Sequence, residues 1–155
     1  MNVIVAPHPD DELIGCYEVI NKKEPTIIIY GGITENKRRE ETKEVKEYFD
    51  NIVGQLFLNS IPDHLMNKNN TFYFPDPSTE IHPLHRFYGM HGESLARNSM
   101  DVIFYTTTMQ VPYLHEVLEP DEKERILNLL YPSQKSLWQY EKKYILFEGR
   151  TKWIF

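Results

Sequence analysis

The chain has 155 residues, the length of one compact domain. Its 23 acidic and 17 basic residues give a formal charge of −6 with histidine neutral, so it has no general electrostatic reason to coat nucleic acid or an anionic membrane. Hydrophobic residues make up 41% and Cys16 is the only cysteine, which excludes wholesale disorder, a disulfide framework and a cysteine-rich zinc site.

The first half alternates strand and helix. Val3-Ile4-Val5-Ala6 is a short β-branched apolar run that suits a buried strand. Residues 10–22 follow with Leu13, Cys16, Tyr17 and Ile20 at helical spacing, closed by Pro25. Thr26 to Tyr30 reads as a second buried strand, and Gly31-Gly32 breaks the chain. Residues 35–49 form a charged surface helix with Val45, Tyr48 and Phe49 on one side, and residues 55–58 form a third strand. This alternation predicts an α/β fold: a Rossmann-like, mostly parallel sheet flanked by helices, in a single domain over residues 1–155.

The second half is less regular. Residues 67–70 read as a loop, 71–74 as a strand, and Pro75-Asp76-Pro77 as a turn. A helix is expected within 85–97, a strand at 101–107 and a helix at 121–131. Pro132 should interrupt, with a further helix at 133–144 and a closing strand at 144–147.

The chemistry concentrates in two stretches. His8-Pro9-Asp10-Asp11-Glu12 follows the first strand and opens a helix, in the crevice where open α/β sheets bind ligands. Proline and acidic residues are ordinary helix-start grammar. The histidine and the adjacent pair of aspartates go beyond that grammar. The second stretch is His82-Pro83-Leu84-His85, two histidines that share a face if Pro83 starts a helical turn. Either stretch alone is weak, because a chain with six histidines shows such spacing by chance. Together, His8, Asp11 and one histidine of the second pair supply a three-ligand set for catalytic zinc, with a position left for water. A carboxylate beside the metal can then take a proton from that water, and a neighbouring histidine can stabilise an oxyanion or protonate a leaving amine.

APHPDDELIG, followed far downstream by HPLH, resembles the PIG-L/LmbE-like zinc de-N-acetylases. These include the N-acetylglucosaminyl-phosphatidylinositol deacetylases and the deacetylases of mycothiol and bacillithiol synthesis. Arg38-Arg39-Glu40-Glu41 is similar to the family's R-x-x-E helix, and Tyr131-Pro132-Ser133-Gln134 to its late Ser-Gln segment. The resemblance implies one zinc ion on His8, Asp11 and His85, with ferrous iron as an alternative. It implies Asp10 as general base, His82 as the group that polarises the carbonyl, and Arg38 as a substrate-binding residue. The implied reaction removes an N-acetyl group from an N-acetylglucosamine-type conjugate. The chain departs from the family in two places. The second motif is usually HPDH, and here Leu84 replaces the acid that sets the charge of the first histidine; Glu80 is a candidate substitute. The glycine pair after the first helical turn is reduced to Gly15.

Alternative readings are a catalytically weakened metal- or sugar-binding module of the same fold, and a metal-dependent phosphoesterase. The latter usually needs bridging ligands for a second metal, and clear ligands are present for one. A nucleotide-binding Rossmann domain is disfavoured because G-x-G-x-x-G is missing after the first strand. His64, His91 and His115 have no evident partner and are expected to be structural or exposed. Cys16 is expected to be packed, Glu12 to support a metal ligand or the helix start, and the aromatics at 72–74, 87 and 88 to pack in the core. No apolar run approaches the roughly 20 residues of a membrane span, and the amino terminus has neither a basic region nor a cleavage site of the signal-peptide kind. The expected partner is a small N-acetylated sugar conjugate, and the expected location is the cytoplasm.

Overall fold

A computed structural model of the chain describes residues 1–31 and 36–153. The elements are β1 (Asn2–Ala6), α1 (Asp11–Asn21), β2 (Thr26–Tyr30), α2 (Asn36–Tyr48), β3 (Ile52–Phe57), β4 (Thr71–Pro75), α3 (Pro83–Arg97), β5 (Asp101–Tyr105), β6 (Leu114–Glu116), α4 (Pro120–Leu130), α5 (Lys135–Tyr140), α6 (Lys143–Leu146) and β7 (Phe147–Thr151). Gly32 and residue 35, the end of the expected break and the start of the expected second helix, lie outside the described residues.

The seven strands form one sheet in the order β3-β2-β1-β4-β5-β7-β6. The first five run parallel, and β7 and β6 add an antiparallel edge. This is the expected Rossmann-like, mostly parallel sheet flanked by helices. Strand order reverses at β1, whose two neighbours are β2 and β4. The loops leaving β1 and β4 therefore part to opposite faces and open a crevice at the carboxyl edge.

Side-chain alternation along β1 divides the core. Ile4 and Ala6 enter the cluster shared with Leu13, Cys16 and Ile20 of α1, Val45 of α2 and Leu127 of α4. Val3 and Val5 enter the opposite cluster, under Tyr88 of α3. The sheet is thus covered on both faces, which is why its strands read as continuous apolar runs. Gly15 lets α1 approach closely: a Cβ there would lie 2.3 Å from the Tyr105 ring. That ring is fixed by its hydroxyl, which donates to the Val5 carbonyl at 2.6 Å.

Helix α1 breaks at Cys16, whose φ of −134° and ψ of 22° are not helical. Two side chains from later elements reach the carbonyls just before the break. Lys123 Nζ donates to Ile14 O at 2.9 Å, and Arg150 Nη1 to Gly15 O at 3.0 Å. Lys123 is fully buried and pairs with the equally buried Glu148 at 2.8 Å, so its charge is compensated inside the core.

Several boundaries differ from the sequence reading. The third strand starts at Ile52, three residues earlier than expected, and its first paired residue is set off from the rest by a bulge at Val53, where the register shifts between Thr26 and Ile27. The strand expected to run to residue 107 ends at Tyr105, where Thr106 and Thr108 turn the chain by hydroxyl bonds. The segment 133–144 is a 3-10 turn (Pro132–Gln134) followed by two short helices. The closing strand lies at 147–151 instead of 144–147 and pairs with β6, which local sequence did not reveal. Among the described residues no helix is long and apolar enough to cross a membrane.

Candidate metal centre

The two motifs meet at the carboxyl edge of the sheet. The first leaves β1 and enters α1, and the second forms the amino end of α3 after β4. Pro83 occupies the first turn of α3, with His82 as its N-cap. His82 and His85 thereby take different positions: His85 is buried and His82 is exposed.

His8, Asp11 and His85 converge as one ligand group. His8 Nδ1 lies 3.1 Å from His85 Nε2, His85 Nε2 lies 3.1 Å from Asp11 Oδ2, and His8 Nδ1 lies 3.6 Å from the same oxygen. Ligands about 2.0–2.1 Å from a tetrahedral ion stand about 3.3 Å apart. The triangle therefore has the dimensions of one face of such a site.

The surroundings fit a cation. Asp10, Asp11, Glu12 and Glu80 are all buried at the site, and burying several carboxylates together is costly without positive charge. Burial raises the Asp11 carboxyl and the His85 and His8 rings lower it; the rings prevail and hold it well below the usual carboxylate range. Burial works against a charged His85, yet Asp11 and Glu80 outweigh it and lift the ring to about 10. The opposed shifts describe an ion pair between Asp11 and His85, whose positive partner a bound cation would replace.

The far nitrogen of His85 has its own support. His85 Nδ1 lies 3.1 Å from Thr107 Oγ1, and Thr107 Oγ1 donates to Glu80 Oε1 at 2.8 Å. The Thr107 backbone N–H also donates to that carboxylate oxygen, at 2.9 Å. In the tautomer that would hold a metal, His85 Nδ1–H donates to Thr107 and Thr107 to Glu80, and loss of the Nε2 proton would free that nitrogen for the ion. The candidate substitute carboxylate, Glu80, thus bonds on the His85 side and acts on His82 only through its charge. The relay was not found from sequence, although Thr107 lies in the loop beyond the carboxyl end of β5, a place where ligand-site residues are expected.

His82 stands beside the triangle. Its ring centroid is 4.8 Å from that of His8 and 5.2 Å from that of His85. The Leu84 backbone N–H donates to His82 Nδ1 at 3.1 Å, so the neutral ring carries its proton on Nε2. Burial and the two neighbouring histidines push the ring below its ordinary value. Leu84 itself packs against the apolar cluster under α3.

Asp10 is the carboxylate outside the triangle. Its φ of 101° is left-handed, a conformation that non-glycine residues rarely adopt. Its N–H donates to Glu12 Oε2 at 3.0 Å. The other Glu12 oxygen accepts from Tyr30 Oη at 2.9 Å and from Tyr131 Oη. Burial lifts Glu12 to about 7 against these bonds. Burial and the adjacent Asp11 also raise Asp10, while Arg38 pulls it back. Arg38 Nη2 lies 3.6 Å from Asp10 Oδ1 and donates to the Pro9 carbonyl.

The two weaker motifs join here. Glu41 accepts from the Ser133 N–H at 3.0 Å and from the Ser133 hydroxyl. Glu41 and Arg38 share α2, while Ser133 lies two residues after Tyr131, so this contact ties the Arg38 support of Asp10 to the Tyr131 support of Glu12. Glu12 serves the backbone of Asp10, and none of its bonds reaches a metal ligand side chain.

The remaining expectations also find their places. Cys16 is buried, and burial pushes its thiol far up. Phe72, Tyr73, Phe74 and Tyr88 are core residues, whereas Phe87 is exposed beside His91. His115 is exposed and paired, with Nε2 2.6 Å from Glu18 Oε1. Comparison with known proteins found no matching family model, curated protein or solved structure.

Proposed function

We propose that the chain is a metal-dependent hydrolase that removes an N-acetyl group from an amino-sugar conjugate, of the PIG-L/LmbE-like kind its motifs resemble. One observation carries this reading: a three-atom ligand face adjoins a buried carboxyl group, that of Asp10, which stands outside the ligand set. The His2Asp donor set favours zinc, and ferrous iron takes the same donors. A divalent ion held by His8, Asp11 and His85 would polarise an amide carbonyl and acidify a water.

Asp10 takes a proton from the attacking water as the oxygen bonds to the carbonyl carbon. His82, neutral and protonated on Nε2, donates to the developing oxyanion. Asp10, having taken the water's proton, returns it to nitrogen as the C–N bond breaks. The products are acetate and a free amine. Arg38 holds Asp10 in place, its Nη2 3.6 Å from Asp10 Oδ1, and is the substrate-binding residue that the resemblance implies. The single buried thiol fits a reducing cytoplasm.

Acetate release from N-acetylglucosamine conjugates by zinc-loaded protein tests the reading. Asp10→Asn should retain zinc and lose about 10²–10⁴ in rate, while His85→Ala should lose both. Full hydrolysis by Asp10→Asn would refute the assignment. Saturable sugar binding without acetate release by the wild type would identify a binding module, and turnover of a phosphodiester in its place would identify a phosphoesterase.

A further inference from the structure

A cavity of about 480 Å³ opens directly on the ligand triangle, with Asp11, His82 and His85 in its wall. The remaining wall is mainly apolar: Ile14 from α1, Ile81 and Pro83 around the second motif, Leu137 from α5 and Tyr144 from α6. Ile81 is 72% exposed and Leu137 38%, a large apolar surface to leave in water beside a polar site. Glu80 adds a buried carboxyl group to the lining, which includes no lysine or arginine. Thr107 and Thr108 complete the lining. The cavity is therefore poorly suited to a phosphate, carboxylate or other anion, while Ile14, Ile81, Pro83 and Leu137 give it aliphatic surface that an alkyl chain can cover.

We propose that this cavity binds the acyl side of the substrate, and that the preferred group is an unbranched, uncharged N-acyl chain longer than acetyl. The inference rests on the hydrolase reading and revises its acyl group, keeping amide hydrolysis and placing a longer chain where acetyl would stand. A reacting amide carbon carries three substituents. The carbonyl oxygen lies toward His82. The nitrogen must lie toward Asp10, which protonates it, and Asp10 is not among the residues lining the cavity. The third substituent, the acyl chain, is left to point into the apolar side. A methyl group would leave Leu137 and Tyr144 without a ligand to cover them, whereas a chain of about six carbons can lie along that wall.

The experiment pairs binding with turnover. Alkyl hydroxamates from acetyl to octanoyl are titrated into the zinc-loaded full chain, and N-acylglucosamines of the same lengths are assayed for hydrolysis. Affinity and kcat/KM should each rise about two- to fourfold per methylene up to hexanoyl, the effect of partial to full burial of each group. Leu137→Asp should flatten both series. Hydroxamate affinity that is level or falls with chain length, or no hydroxamate binding at all, would overturn the proposal; acetyl turnover would in that case still support the deacetylase reading. Affinity that rises with length without hydrolysis of any amide would uphold the apolar site and overturn the hydrolase reading.

Discussion

The backbone N–H of Asp10 donates to the carboxylate of Glu12, two residues ahead, at 3.0 Å. That bond closes a turn in which Asp10 sits at φ 101° and ψ −27°. Strained backbone of this kind costs on the order of 1–3 kcal/mol and persists only where the surroundings over-determine it. Here Glu12, the two buried tyrosines behind it and Arg38 supply that determination.

Removal of the Asp10 side chain should expose the strain. Glycine ordinarily destabilises a folded chain relative to alanine, because it has more freedom to lose. At position 10 the order should reverse, with Asp10→Gly more stable than Asp10→Ala by about 1–2 kcal/mol. Urea denaturation of the two metal-free variants measures the difference. An alanine variant as stable as the glycine one would show that the turn is relaxed.

The Thr107 hydroxyl stands between His85 Nδ1 and the Glu80 carboxylate. Thr107→Val keeps the shape and removes the relay. Partners that orient a metal-ligating histidine commonly contribute 10–100-fold to metal affinity, and a loss in that range is expected. Competition with a chelator of known zinc affinity reads it directly. Unchanged affinity would mean that packing alone aims the His85 ring.

Away from the site, Glu18 fixes a pH dependence. Burial raises its carboxyl, but His115, the Leu118 N–H and Arg150 lower it, with a net shift below the ordinary value of 4.5. A carboxyl depressed in the folded state contributes stability above its unfolded value, and the contribution is lost as pH falls through the folded one. The wild type should therefore exceed Glu18→Gln in urea midpoint at pH 7, and the gap should close below about pH 4. A gap that stays constant down to pH 3 would assign the effect to packing.

The parts of the molecule legible in sequence are those that depend on local pattern. Thr26 to Tyr30 is a strand because a β-branched apolar run has few alternatives, and His82-Pro83 starts α3 because proline fits a first turn. His8 and Asp11 were legible as a pair because they share a turn at the end of β1, and His85 entered the candidate group through the resemblance. Residues that act through tertiary placement were not legible. Thr107 serves His85 from 22 positions away, and Tyr131, which stood out only within a family-like segment, bonds Glu12 from 119 positions away. Neither spacing carries a periodic signal. The β6–β7 pair was hidden for a related reason: Leu114–Glu116 is three residues long and becomes a strand only by pairing with β7.

Diffraction from zinc-soaked crystals on both sides of the zinc absorption edge tests the central claim most directly. Expected is a single anomalous peak about 2.0–2.2 Å from His8 Nδ1, Asp11 Oδ2 and His85 Nε2, lost in His85→Ala. A peak elsewhere, or none between these three atoms at saturating zinc, would contradict the metal centre and with it the hydrolytic chemistry assigned to Asp10.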